Sequence, residues 1–426
     1  MTRRDSTLAK TIGLATAVGL AITMVVGSGL LILPGLAYRE AGSAAVYAWG
    51  ISALISIPLL VVFARLGADI PGAGGVAGFM QAAFSRRAGA ATEILILGTI
   101  PGGAAIAITG GKYFSSLFDA GSGTVMLGTL GILLIGGTAN YFGARVSGRV
   151  QQLLALALVT LLALIALLTL VLGDTSAGEG FATWPRALDA LPTVALVFFA
   201  FVGWELMSFT TEEFKNPQRD FPLMVAISFI IVVVLYLLVA ATIQLVLPRN
   251  HPQMANAPIA AMLTAVVGRG SGQFVAIMGI LMVVANFISV VWAFSRLSFS
   301  SAREGLLPGT LARIHPEAQI PRNAVVASTG AFGAVAAFYF MGIVSQSLLF
   351  ELAGISFFMS YMLAVLAYIK QVPTVAGKIF GSATLACVGF VFIGFGVKTI
   401  YPLALFVSGL LLYSMRANRA GVRGQP

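Results

Sequence analysis

Charge is scarce in this chain. Asp, Glu, Lys and Arg together make up 9% of the 426 residues, whereas a soluble domain carries about a quarter. Hydrophobic residues make up 58% of the chain, and the mean hydropathy is +0.97. This composition excludes a water-soluble globular protein and indicates one that lies in a membrane.

Cysteine and histidine are also scarce. Cys387 is the only cysteine, which excludes an intrachain disulfide and a cysteine-based metal cluster. The two histidines, His251 and His315, fall far apart in predicted loops. Without a histidine or an acidic cluster in any span, the sequence lacks an acid–base pair or nucleophile–base set for a membrane enzyme. We expect no enzymatic activity, no metal site and no cofactor.

Long apolar runs, by contrast, are abundant. Because about 20 apolar residues cross the hydrocarbon core as a helix, the runs predict an all-α polytopic membrane protein. The first run follows Thr2-Arg3-Arg4-Asp5 and lacks the cleavage pattern of a secretory signal, so we expect it to remain. The predicted spans number twelve, at residues 11–37, 44–66, 89–111, 122–143, 150–173, 190–211, 222–247, 270–299, 324–345, 347–369, 374–396 and 399–415.

The net charge of +10 is explained by the membrane topology, which determines where the basic residues lie. With a cytoplasmic N-terminus, 19 of the 25 Lys and Arg residues fall on the cytoplasmic side and 6 on the other. This is the positive-inside pattern, and it predicts that both termini are cytoplasmic. The charge therefore gives no reason to expect nucleic acid as a partner; the expected surroundings are a lipid bilayer, with residues 1–426 forming one integral membrane domain.

Two of the predicted spans are interrupted by small residues. Gly27-Ser28-Gly29 lies inside the first span, and Gly203-Trp204-Glu205 lies inside the sixth. Close helix packing is the simpler explanation of one such site. Two interruptions at corresponding positions, each opening a block of five spans, favour an inverted-repeat transporter with its substrate site near the membrane midplane. The predicted repeats are residues 1–173 and 190–369, followed by two additional helices at 374–415.

Glu205 is the most informative polar residue. A carboxylate at membrane depth must be hydrogen-bonded, paired or protonated. Glu205 either exchanges a proton during transport or ties the sixth span to a neighbouring helix. Asn286 and Trp292 lie six residues apart in the eighth span, so at most one is expected to face the site; both are candidates for gating or coupling.

Three motifs resemble a known family: "GSG" in the first span, "FVGWE" followed by "EEFKNPQRDFP" at 212–222, and "SRLSFSSAREGLLP" at 295–308. They are similar to the amino acid–polyamine–organocation superfamily. With "PGAGGVAGF" at 71–79 and the short chain, the sequence looks most like the bacterial exporters of methionine and branched-chain amino acids. The resemblance implies a leucine-transporter-like fold, a 5+5 inverted repeat with broken first and sixth helices.

The resemblance also implies residue roles. Amides of the first-span motif hold the substrate carboxylate, and carbonyls near both breaks hold its ammonium group. Phe199 is either an aromatic lid over the substrate or an ordinary core residue. The implied substrate-binding residues are Val25, Gly27, Ser28, Gly29, Phe199, Val202, Gly203 and Glu205.

These implications predict a proton-driven exporter of neutral apolar amino acids in the bacterial inner membrane. A site with one candidate carboxylate suits a substrate without additional charge, although Glu205 could itself pair with a cationic amino acid or polyamine. An exchanger of such cations is therefore the alternative. Leu158 stands where proton-coupled relatives carry a lysine, which leaves the coupling mechanism open. The oligomeric state, including a homodimer, also stays open.

Overall fold

The structure is a computed structural model. It describes residues 10–422, apart from 27, 71–74, 119–120, 144–147, 184–185, 205–206, 208–209, 253, 255–257 and 269–270. The described part is helical, with one isolated β-bridge, between Ile12 and Phe214. The α-helices are α1 Leu14–Val25, α2 Ser28–Ala41, α3 Ala45–Asp69, α4 Val76–Ala83, α5 Arg86–Leu97, α6 Ile100–Ser116, α7 Ser122–Tyr141, α8 Gly148–Leu172, α9 Leu191–Phe198, α10 Pro217–Val246, α11 Pro258–Val267, α12 Ser271–Arg303, α13 Arg322–Phe340, α14 Gln346–Gln371, α15 Val375–Ile393 and α16 Ile400–Val422.

Many of the helices are long and apolar enough to cross a membrane. Within the described residues, nine helical stretches meet this condition, and three shorter apolar helices lie at Leu14–Thr23, Val159–Leu172 and Pro258–Val267. In the most apolar part of α7, of α15 and of the Gly396–Met415 stretch, only 22%, 17% and 11% of the residues are buried. Because side chains such as Leu134 and Phe390 are exposed on these helices, their outer faces suit contact with lipid chains.

The helices pack in two groups that meet at the centre. Helix α10 contacts α1, α3 and α8, and α1 also contacts α8; α6, α7, α12 and α13 all contact one another. Helix α1 also packs against α12, which joins the groups. Small residues permit the closest approaches: a Cβ on Gly111 of α6 would clash with Thr129 of α7. This agrees with the role of small residues between membrane helices.

Two helices lie in segments where the sequence predicts connections. Helix α4 lies between the second and third predicted spans, and α11 lies between the seventh and eighth. With 8 and 10 residues, each is too short to span a bilayer. Both bury apolar residues, including Phe79 in α4 and Met262 in α11, and are therefore part of the packed structure.

Candidate functional site

The first interruption lies between α1 and α2. Helix α1 ends at Val25, and Val26 is extended, with φ −79° and ψ 90°. Helix α2 begins at Ser28, while Gly27 lies outside the described residues. Because the last carbonyls of a helix have no intrahelical donor, those at the end of α1 are available to other partners. The backbone of Val25, one of the residues assigned to substrate binding, therefore lies at a helix end.

The second interruption follows α9. That helix ends at Phe198, a 3-10 turn covers Phe199–Phe201, and Val202 and Gly203 are not helical. Gly203 has φ 131°, which residues with a Cβ rarely adopt. Helical geometry returns at Trp204. Glu205, a candidate for substrate binding and for proton coupling, lies outside the described residues.

The structure brings the two interruptions together. A Cβ on Gly29 of α2 would lie 3.6 Å from Ala200 Cα, so these backbones are in close contact. The Tyr236 hydroxyl of α10 lies 2.8 Å from the Val25 carbonyl oxygen and 3.1 Å from that of Ala200. A phenol has one O–H, which these two acceptors share. One side chain therefore links the carbonyl groups at both breaks.

Tyr236 is held rigidly. It is fully buried, and its ring packs edge-on against Trp49 and Phe201 at centroid distances of 5.3 and 5.4 Å. The sequence analysis did not select Tyr236. The sequence feature that could have identified Tyr236 is a phenol inside the apolar run "FIIVVVLYLLVAA" at 229–241. A buried hydroxyl at that depth needs a hydrogen-bond partner.

Asn286 joins α12 to the end of α1. Its side-chain amide donates to the Thr23 carbonyl at 2.8 Å, and the Thr23 and Ser289 hydroxyls lie 2.8 Å apart. All three residues are at most 2% exposed. These bonds hold α12 against α1 just before its interruption. Of the two gating candidates in the eighth span, Asn286 is therefore the one beside the break.

Trp292 lies elsewhere, beside a buried ion pair. The Arg296 guanidinium stacks on its ring at 5.1 Å. Arg296 Nε donates to Glu213 Oε1 at 2.6 Å, and Nη2 donates to Oε2 at 3.3 Å. The two side chains are 4% and 8% exposed. Arg296 fell inside a predicted span, and a charge there requires a partner, a signal that the sequence analysis did not use.

The same region ties the start of the chain to the connection after the sixth span. The Glu213 carbonyl accepts bonds from the amides of Thr11 and Ile12, each at 2.9 Å, and the Ile12 carbonyl accepts from the Lys215 amide at 2.9 Å. We call Thr11, Ile12, Glu213, Lys215 and Arg296 the amino-terminal closure, because they lie on the side of the bundle where α1 begins. The closure joins α1, the 211–217 connection and α12.

The chemistry of the site follows from these groups. The described residues contain no group of three or more His, Cys, Asp or Glu that could hold a metal ion. The breaks are lined by backbone groups and by buried apolar side chains such as Val25 and Val202. Unpaired N–H and C=O groups at helix ends bind anions and cations respectively. The arrangement therefore suits reversible binding of a small zwitterion.

Comparisons with known proteins identify relatives. A sequence profile of amino acid permeases matches residues 12–413. The chain is 28% identical over 357 residues to an uncharacterized amino acid permease, YecA of Bacillus subtilis, covering 82% of each chain. It is 28% identical over 423 residues to the L-methionine/branched-chain amino acid exporter YjeH of Escherichia coli, covering 96% of this chain and 98% of that one. Human cationic amino acid transporter 4 is 30% identical over 340 residues, which are 74% of this chain and 52% of that protein.

A solved structure shares the fold. The crystal structure of MhsT in complex with L-phenylalanine superposes with a TM-score of 0.62, covering 94% of this chain and 99% of that one at 14% identity. The leucine-transporter-like fold implied by the sequence motifs is therefore found in the structure. The matched family consists of transporters and not of enzymes. The chain is a multi-pass membrane protein that belongs to the amino acid permease family of the amino acid–polyamine–organocation superfamily.

Proposed function

We propose that this protein is a secondary transporter that exports neutral apolar amino acids, namely methionine, leucine, isoleucine and valine. It works by alternating access across the bacterial cytoplasmic membrane and is driven by the proton gradient. The observation that carries the proposal is the meeting of the two interrupted segments at the Tyr236 hydroxyl. Two helix breaks that share a donor place the peptide groups of two helix ends around one point, where both charged ends of an amino acid find partners.

The roles of the peptide groups follow from their polarity. The amides of Gly27, Ser28 and Gly29 bind the substrate carboxylate. Carbonyls of Val25, Phe199 and Val202 bind its ammonium group. Each carbonyl oxygen has two lone pairs, so Val25 accepts from the Tyr236 hydroxyl and from the substrate together. The positive φ of Gly203 turns the chain at the second break, Phe199 covers the substrate, and Glu205 carries the coupled proton.

The preference for neutral side chains rests on the surroundings of the breaks. Among the described residues that line them, Val25, Val202, Phe198 and Phe201 are apolar and at most 8% exposed. A guanidinium or second ammonium brought there would lose its hydration without gaining a partner from these four side chains. The similarity to an exporter named for methionine and branched-chain amino acids supports the same preference.

The amino-terminal closure indicates which side of the transporter is closed in this structure. On the proposed topology, with twelve spans and both termini in the cytoplasm, it shuts the cytoplasmic side through the Arg296–Glu213 pair and the Ile12–Lys215 bond. Opening toward the cytoplasm separates α1 and the 211–217 connection from α12. We propose that residues 1–173 and 190–369 are the two inverted repeats that make this motion, with 374–415 as additional helices.

An exchanger of cationic amino acids is the second candidate. The similarity to human cationic amino acid transporter 4 favours it, as does the position of Glu205 in the sequence just after the second break. In this alternative, Glu205 pairs with the charged side chain of the substrate.

Counterflow in proteoliposomes separates the two candidates. Vesicles loaded with unlabelled substrate receive labelled methionine, leucine or arginine, with and without an imposed pH gradient. We expect saturable counterflow of methionine and leucine, with net flux that depends on the gradient. Preferential uptake of arginine would overturn the neutral-substrate proposal, and unsaturable flux without counterflow would indicate a channel.

A further inference from the structure

A second buried carboxylate lies near the amino-terminal closure. Glu93 of α5 is 3% exposed, and its Oε1 accepts a bond from the Ser300 hydroxyl of α12 at 3.3 Å. Its other oxygen accepts no hydrogen bond from any residue that the structure describes. The Ser301 hydroxyl lies close to the same carboxyl group. A buried carboxylate that only serine hydroxyls approach closely, among the described residues, calls for a functional explanation.

Glu93 and Glu213 contact the same helix one turn apart. Arg296 binds Glu213, and Ser300, four residues further along α12, binds Glu93. Residues at i and i+4 lie on one face of a helix, separated by about one 5.4 Å turn. Arg296 and Ser300 therefore share one face of α12, and each contacts a carboxylate from a different part of the chain, Glu213 in the 211–217 connection and Glu93 in α5.

This position matters when the closure opens. Glu213 leaves with its connection, while Arg296 stays on α12. A guanidinium that is 4% exposed and has lost the one carboxylate that pairs with it among the described residues is costly. Of the other charged groups near Glu93, Arg303 and Glu304 lie at the exposed end of α12, and Arg303 already stacks on the Phe299 ring at 4.8 Å. Arg303 is itself a cation, and Glu304 is exposed to water. Neither residue can therefore replace Glu213 as a buried partner of Arg296.

We infer that Glu93 is the second partner of Arg296, which exchanges Glu213 for Glu93 as the protein opens on the side where α1 begins. The inference rests on the proposed alternating access and adds a positioning residue to it. A one-turn change of partners is a known form of switching between two packed states. Because both states then pair the guanidinium, neither leaves Arg296 as a buried unpaired cation, and this residue does not strongly favour one state over the other.

The test measures accessibility and needs no substrate. Cys387→Ser removes the only cysteine, and Thr210→Cys introduces a reporter at a fully buried position before the connection. The reaction rate with a maleimide is measured on purified protein in nanodiscs, where both faces are exposed to reagent. We expect Glu213→Gln to raise the labelling rate about tenfold and Glu93→Gln to lower it about tenfold, through opposite shifts in the open population.

Two further variants separate partner exchange from a structural role. Ser300→Ala removes the hydrogen bond to Glu93 but keeps its charge, so the labelling rate should stay within about twofold of the parent. In an Arg296→Gln background, Glu93→Gln should have no further effect, since Glu93 acts only through the guanidinium. Glu93→Asp, which keeps the charge, should restore at least part of the opening, and Glu304→Gln is the matched surface control.

The inference is overturned if Glu93→Gln leaves labelling unchanged, or if its effect persists undiminished without Arg296. If Glu93→Gln does not fold, Glu93→Asp and Ser300→Ala still decide: a loss of opening in Ser300→Ala that exceeds about twofold and is at least as large as that in Glu93→Asp indicates packing, which also overturns the inference. Failure of the transport proposal shows itself differently, as absent counterflow of every amino acid tested in the unmodified protein.

Discussion

Tyr236→Phe removes the one hydroxyl that links the two interruptions and leaves the ring contacts in place. The Val25 and Ala200 carbonyls, which accept at 2.8 and 3.1 Å, then lose their common donor. Leaving a buried acceptor unpaired costs about 1–3 kcal/mol. The substrate must then bring the two carbonyls together itself, so this free energy is withdrawn from binding. At about 1.4 kcal/mol per tenfold, the Kd for methionine should rise about 5- to 150-fold.

Equilibrium binding of labelled methionine to purified protein measures this change. Tyr47→Phe is the matched control, because the Tyr47 hydroxyl also donates to a backbone carbonyl, that of Ala182 at 2.7 Å, in the connection after α8. It should lower the melting temperature with little change in the Kd. If Tyr236→Phe binds methionine within about twofold of the unmodified protein, the hydroxyl does not organise the site and the reasoning is refuted.

Three further predictions concern other parts of the molecule. Glu213→Gln leaves Arg296 without its carboxylate in the closed state and should destabilise the protein by about 1.4 kcal/mol, the free energy of a tenfold shift toward the open state, whereas the double variant Glu213→Leu/Arg296→Met should lose much less; thermal unfolding in detergent compares them, and equal losses would contradict the buried-pair argument. Gly35→Ala places a Cβ against the Met254 carbonyl oxygen and should cost about 1–3 kcal/mol, while Gly50→Ala, where a Cβ meets no neighbour within 4 Å, should leave the melting temperature unchanged. Glu205→Gln should abolish the dependence of methionine flux on an imposed pH gradient while counterflow continues; an unaltered dependence excludes Glu205 as the proton carrier.

Several of the long helices were predictable because each one coincides with a long apolar run in the sequence. An apolar run that crosses the membrane must match the thickness of the hydrocarbon layer. The ends of α3, α7 and α14 accordingly lie within about three residues of the ends of the predicted spans. The segments α4 and α11 were missed, since short helices in the connections carry no such length signal. Both interruptions were expected because glycine and a polar residue inside an apolar run are visible in the sequence; the structure ends α1 at Val25 and leaves the helix after Phe198, five residues before the predicted Gly203-Trp204-Glu205.

The partners across the structure were not predictable. Tyr236 reaches a carbonyl 211 residues away in sequence, and Arg296 reaches a carboxylate 83 residues away. Periodicity reports which face of a helix is apolar, but it does not report which helix lies opposite. A polar side chain inside a span showed that a partner must exist, and only the packing of α10 and α12 identified the partner.

The central claim is that the broken segments bind both charged ends of an amino acid. Competition against labelled methionine by two analogues tests it most directly: methioninol, which lacks the carboxylate, and 4-(methylthio)butyric acid, which lacks the ammonium group. Each charged end makes at least two hydrogen bonds worth about 1.5–3 kcal/mol apiece, so we predict that either analogue binds at least about 100-fold more weakly than methionine. If both compete within about threefold of methionine itself, the peptide groups at the interruptions do not hold the substrate, and the account is contradicted.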